Sequence, residues 1–270
     1  MFRENTFTHS FIPIVSLISI LLMSACGTPA PASEADGITV LATTSIVADV
    51  VSQIAGGVVQ VDTLIPSGSD PHAFEPAPQD MAKAASAAVI FTNGAGLEEF
   101  LSNFLENAGA SDRVVDLSHD IPLIDFNHPG EEPESDASES HSGDPHVWTD
   151  PHNVLLWVDK IETALIELDP AHADLFRANS DTYREQLREL DAWIRSQVSL
   201  IPPEARLLVT DHQVFGYFAA QYGFEQIGAI LPAYSTLSMP TAQELAQLED
   251  AIRSAGVQVI LVGETVNPNL

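Results

Sequence analysis

The chain has 270 residues, of which 38 are Asp or Glu and 10 are Lys or Arg, for a formal charge of −28 at neutral pH. Such a charge repels phosphate backbones and anionic lipid headgroups, which excludes nucleic acid as a partner. An apolar fraction of 45% suffices for real cores, and a lone cysteine, Cys26, rules out an internal disulfide.

Arg3 precedes a short apolar run over residues 11–23 that closes on Ser24 and Ala25, the layout of a secretory signal peptide over residues 1–25. The run is shorter than the ~20 apolar residues of a membrane-crossing helix, and no later stretch is long enough to serve. The mature chain is therefore expected outside the cytoplasm, in a periplasm or at a cell surface. Cys26 stands at the expected cleavage junction, in Met23-Ser24-Ala25-Cys26-Gly27. This resembles a bacterial lipobox, in which the cysteine is acylated, with Met23 where leucine is usual. A lipid tether to the membrane gives the leftover cysteine of an exported chain a role. Residues 26–37, rich in Pro, Ala and Ser, read as a flexible stalk.

From Ile38 short β-branched runs alternate with amphipathic helical patterns, which is how a parallel sheet with crossover helices is written. Residues 38–43 read as a strand, and Ser45 as the cap of a helix over 45–54 that stops at Gly56-Gly57. Strands at 58–65, 89–92 and 113–117 follow, with helices at 78–88 and 97–107, the last closed by Gly109. This is an α/β lobe over residues 38–168. Within it, residues 127–143 collapse into Pro, Gly, Ser and acidic residues with His128 and His141 near the ends, a solvated, disordered loop.

Asp169-Pro170 suits an N-cap and first helical position. It opens a long helix over residues 169–201, with Leu187, Leu190, Ile194 and Val198 at helical spacing and Pro202-Pro203 as its stop. A rod of roughly 45 Å is long enough to join two lobes. The second α/β lobe, residues 204–270, reads as strand 206–210, helix 215–222 before Gly223, strand 224–231, helix 241–254 before Gly256, and strand 257–263. Pro268 reads as the start of a further helix.

Three histidines fall where an open α/β sheet places its ligands, in or beside loops leaving the carboxyl ends of strands. His72 follows the second strand in Asp70-Pro71-His72. His146 lies in Asp144-Pro145-His146-Val147-Trp148, and His212 directly follows the first strand of the second lobe. Neutral imidazole suits zinc at about 2.0–2.1 Å, and three such groups with one oxygen complete a tetrahedron. Asp70, Asp144 and Asp211 are placed to orient the rings as acceptors. In the repeated Asp-Pro-His, proline fixes the backbone just before the ring. His119, His152 and His172 read as structural or surface residues, with His152 the one expected nearest the site.

In these motifs, and from residue 38 to the end, the chain resembles the solute-binding proteins of zinc and manganese ABC importers. The resemblance rests on Asp-Pro-His-Ala-Phe-Glu-Pro at 70–76, His-Val-Trp at 146–148 and Val-Thr-Asp-His at 209–212. It implies two α/β lobes joined by a long helix with the metal between them, His72, His146 and His212 as ligands, and an ABC importer permease as partner. His212 implies zinc, since manganese members generally carry glutamate there, and three imidazoles also suit zinc better than the oxygen-preferring manganese ion. Manganese or iron(II) is the alternative cargo. The family's last ligand is usually an aspartate beyond Pro268. The fourth position therefore falls to a residue of a longer chain, to water or to another carboxylate, with Glu264 the candidate. Zinc members often carry a histidine-rich stretch where residues 127–143 lie, but here Glu and Asp prevail and a solvated charge run is expected.

A zinc hydrolase would share a three-histidine site, yet the sequence has no His-Glu-x-x-His pair and no Gly-x-Ser-x-Gly elbow. An adhesin stabilised by a structural metal would need a closed site that never releases its ion. The expectation is a monomeric binding protein and not an enzyme.

Overall fold

Parallel strands require crossover connections, and the helical patterns between the short β-branched runs provide them. In the computed structural model, residues 37–124 and 143–263 are described. The segments expected as signal peptide and stalk, with Cys26, the acidic loop as far as residue 142, and Glu264 with Pro268 lie outside the described residues.

Strand β1 (Thr39–Ala42) lies between β2 (Gln60–Thr63) and β3 (Ile90–Thr92), and β4 (Val114–Asp116) adds beyond β3. The order is β2-β1-β3-β4, all parallel, with Leu41 opposite Asp62 on one side and Ile90 on the other. Successive strand residues face opposite sides, so Val40 and Ala42 enter one core and Leu41 the other.

One face is covered by α2 (Pro78–Ser86) and α3 (Leu101–Ala108) through Ala84, Leu101 and Phe104. The other is covered by α1 (Ser45–Ala55), α4 (Pro151–Leu168) and α5 (Ala173–Val198), which bring Val51, Trp157, Ile161 and Phe176 together. Full burial of a side chain such as Phe176 (0% exposed) contributes about 1.5–3 kcal/mol. Leu64, Phe91 and Leu165 are as deeply enclosed.

A second parallel sheet pairs β5 (Leu207–Thr210) with β6 (Glu225–Ala229), its register shifting between Leu208 and Val209. Helices α6 (Gly216–Tyr222) and α7 (Ala242–Ala255) accompany it. Thr241 and Glu244 cap α7 reciprocally, as expected of a capping box. Both sheets belong to one unit that begins at Ile38, and no helix among the described residues is long and apolar enough to cross a membrane.

The α/β class holds, with four differences in detail. Thr44, not Ser45, caps α1: its hydroxyl accepts from Val47 N at 3.2 Å, and Gly56 closes the helix at φ 58°, a left-handed conformation that suits glycine. The 18-residue α4 was not anticipated, although Val154, Trp157, Val158, Ile161 and Leu165 repeat at helical spacing on its buried side. Asp169-Pro170 opens only a 3-10 turn, Pro170–His172, and the 26-residue helix α5 begins at Ala173, which shortens the rod to about 39 Å. It packs against α1 and α4.

The last difference concerns residues 257–263, which form no ladder. Leu261 makes a single parallel bridge to Thr210, with Leu261 N donating to Val209 O at 2.9 Å and Asp211 N donating to Leu261 O at 3.1 Å. Val259 and Val262 remain more than half exposed, so burial does not pin the segment as a strand.

Candidate metal centre

Three Asp-Pro-His segments adopt the same local turn. A carboxylate oxygen of Asp70, Asp144 and Asp150 accepts the backbone N–H of His72, His146 and His152, at 3.0, 2.9 and 2.9 Å. Aspartate closes such a turn with its own side chain, and the intervening proline presets the backbone. The third copy is spent differently. Asp150 caps α4 with Pro151 in the first turn, and the exposed His152 ring bonds Asp150 and Gln221.

The other two copies converge. His72 Nε2 stands 3.3 Å from His146 Nε2, and His212 Nε2 stands 3.2 Å from the same atom. His72 reaches the site from the loop after β2, His146 from the turn before α4, and His212 from the end of β5. His72 and His146 are buried and His212 half-buried. Together they form the His/Cys/Asp/Glu cluster among the described residues whose ligand atoms could hold a metal ion.

The tautomer of the central ring follows from its partner. Asp144 Oδ1 lies 2.8 Å from His146 Nδ1, so Nδ1 carries the proton and donates it, leaving the Nε2 lone pair aimed at the other two rings. Burial pushes the His72 pKa down to about 4, helped by neighbouring His146, and burial lowers that of His146 against the opposing pull of Asp144. Both rings are therefore neutral ligands at physiological pH. Converging neutral lone pairs stabilise a cation and repel an anion.

Asp144 orients its ring as expected. Asp70 holds the His72 backbone and not its ring. Asp211 Oδ1 lies 3.3 Å from His212 Nδ1 without an aligned hydrogen bond. His119 and His172 are exposed and paired with Asp120 and Asp169, far from the cluster's role.

Several residues that position the site were not anticipated. Asn93 Nδ2, at the end of β3, donates to Pro145 O at 3.0 Å, and Tyr217 Oη donates to Asp144 O at 2.7 Å. Trp148 lays its ring edge-on to His146, with centroids 5.3 Å apart. Thr236 donates to Asp70 Oδ2 from the far side of the cleft. Of these, Trp148 lies in a segment that the histidine motifs had already singled out. The cleft has a volume of about 160 Å³ and is also lined by Thr44, Ser45 and Val214.

A family model described as the periplasmic component A of the zinc-uptake complex matches residues 40–270. The chain belongs to this family. The manganese-binding lipoprotein MntA of Halalkalibacterium halodurans is 31% identical over 255 residues, covering 94% of this chain and 80% of that protein. The manganese ABC transporter substrate-binding lipoprotein PsaA of Streptococcus anginosus is 28% identical over 94% of this chain and 81% of its own length. Among solved structures, the periplasmic zinc-binding protein TroA of Treponema pallidum superposes with a TM-score of 0.76 at 29% identity, over 86% of this chain and 80% of that one. The family and these neighbours carry the reading of an α/β metal-binding component of an ABC importer that works outside the cytoplasm.

Proposed function

We propose that the protein captures Zn2+ outside the cytoplasm with His72, His146 and His212 and delivers it to the permease of an ABC importer. The observation that carries this reading is the convergence of three Nε2 atoms on one point, two of them on rings kept neutral by burial. Three borderline nitrogen donors favour zinc over manganese, which prefers oxygen. A fourth, oxygen ligand completes the tetrahedron. Glu264, outside the described residues, is one candidate for it, and water is another. Cys26 serves as the lipid anchor, and the protein works as a monomer, its two α/β lobes, residues 38–168 and 204–270, flanking the long helix.

Manganese is the second reading, favoured by the manganese-binding relatives at 28–31% identity. Competitive titration of the metal-free protein with Zn2+ and Mn2+ separates the two. Zinc binding with one ion per chain and tighter than manganese supports the proposal. Tighter manganese binding would reassign the cargo, and turnover of an ester or phosphate substrate by the zinc-loaded protein would point to a hydrolase.

A further inference from the structure

We infer that Thr236 is a positioning residue of this centre: through Asp70 it ties the loop that carries His72 to the loop packed against His212. The inference rests on the metal-binding reading above. Asp70 is shared between two donors. One carboxylate oxygen accepts His72 N at 3.0 Å, and the other accepts the Thr236 hydroxyl, from a residue 166 positions away in sequence.

Thr236 is itself tethered to the other side of the site. It lies in the loop after β6, where Leu231 N donates to Asp211 O at 2.7 Å and Gln213 N donates to Ala233 O at 3.1 Å. Those bonds bracket His212. The path from one ligand to the other is therefore short: His72 backbone, Asp70 carboxylate, Thr236 hydroxyl, the 231–236 loop, and the backbone on both sides of His212. Tyr234 Oη gives the same loop a second attachment, donating to Ile124 O at 3.2 Å.

This pair has a consequence for release. Both Asp70 and Thr236 are half-buried and line the cleft, and a hydrogen bond to a charged group is stronger than one between neutral groups. Moving the His72 loop away from His212 requires breaking it. The bond thus resists the motion that separates two ligands, and its loss shows first in how fast the ion leaves.

The test uses the full chain loaded with zinc alone and follows transfer to a chromophoric chelator by stopped flow. Thr236→Val keeps the branched shape and removes the donor, and Thr236→Ser restores the donor. We expect Thr236→Val to release zinc about tenfold faster, the scale at which groups that orient ligands act, and Thr236→Ser to match the parent. Asp70→Ala removes the acceptor of both donors. It should reproduce the faster release, and adding Thr236→Val to it should have no further effect. A cooperative melt of each metal-free variant, lowered by no more than about 5 °C for the lost hydrogen bonds, separates positioning from misfolding. Parental release rates in Thr236→Val, or an undiminished Thr236→Val effect in the Asp70→Ala background, would overturn the inference while leaving the metal site standing. A parent chain that binds no zinc would overturn both.

Discussion

His72 Nε2 and His146 Nε2 lie 3.3 Å apart across 74 residues of sequence. Since Asp144 fixes the His146 proton on Nδ1, His146 Nε2 offers a lone pair, and both His72 and His212 turn their Nε2 atoms toward it. One ring can donate a proton to that lone pair, but two cannot be satisfied there together. A shared cation satisfies all three.

His146 is the central ring, so its loss should cost most. His146→Ala is expected to weaken zinc binding by more than tenfold, above ~1.4 kcal/mol, and by more than either His72→Ala or His212→Ala. Calorimetric titration of the three variants checks the order. An unchanged affinity in any of them removes that residue from the site.

Asp144→Asn tests the tautomer argument. The amide can present an N–H to Nδ1 and so favour the proton on Nε2, the wrong nitrogen for binding. Zinc affinity should fall by about 10–100-fold while the far-ultraviolet circular dichroism is unchanged. An affinity equal to the parent would mean that Asp144 does not set the ring's protonation.

The pH dependence should differ from that of three ordinary imidazoles, which would lose affinity steeply below about pH 6.5 because each must shed a proton to bind. The His72 pKa is depressed to about 4 and that of His146 is lowered as well, so neither competes strongly with the metal near pH 6. Zinc affinity between pH 6.5 and 5 should therefore fall by no more than about tenfold per unit. For the metal-free protein the sign is fixed by the same shift. The unfolded chain takes up the His72 proton at about pH 6.5, the folded one only at about pH 4, so stability falls as pH descends through that window. Dissociation constants and melting curves from pH 4 to 8 measure both, and a thousandfold loss per unit near pH 6 would contradict the burial argument.

How much of this was legible in the sequence depends on whether the determinant is local. β1, β5 and the Gly56, Gly109, Gly223 and Gly256 helix ends could be read because β-branched runs and left-handed caps are written within a few residues. His212 could be placed because it directly follows a strand. Helix α4 had its own signal, Asp150-Pro151 followed by Val154, Trp157, Val158, Ile161 and Leu165, but it begins just after the motif that carries His146. Asp169-Pro170 looked like the stronger helix start and produced only a 3-10 turn. The Asp70–Thr236 bond could not be read at all, since a contact 166 residues long leaves no periodicity.

The charge of −28 predicts a salt effect independent of the metal. Self-repulsion destabilises a compact state far from neutrality, and raising the salt from about 0.1 to 1 M shortens the Debye length from ~10 to ~3 Å. The melting temperature should rise with sodium chloride, each ~1 kcal/mol gained being worth about 2–4 °C for a chain of this size. Calorimetry at the two concentrations measures it, and a falling melting temperature would show that screened ion pairs, such as Arg184 with Asp159 and Glu162, outweigh the repulsion.

The most direct measurement is X-ray absorption at the zinc edge on the chain loaded with one equivalent of Zn2+. Three imidazole nitrogens at about 2.0–2.1 Å are predicted, with one imidazole lost in each of His72→Ala, His146→Ala and His212→Ala. A zinc shell with fewer than two imidazoles in the parent, or the same shell in all three variants, would contradict a metal centre built on these histidines.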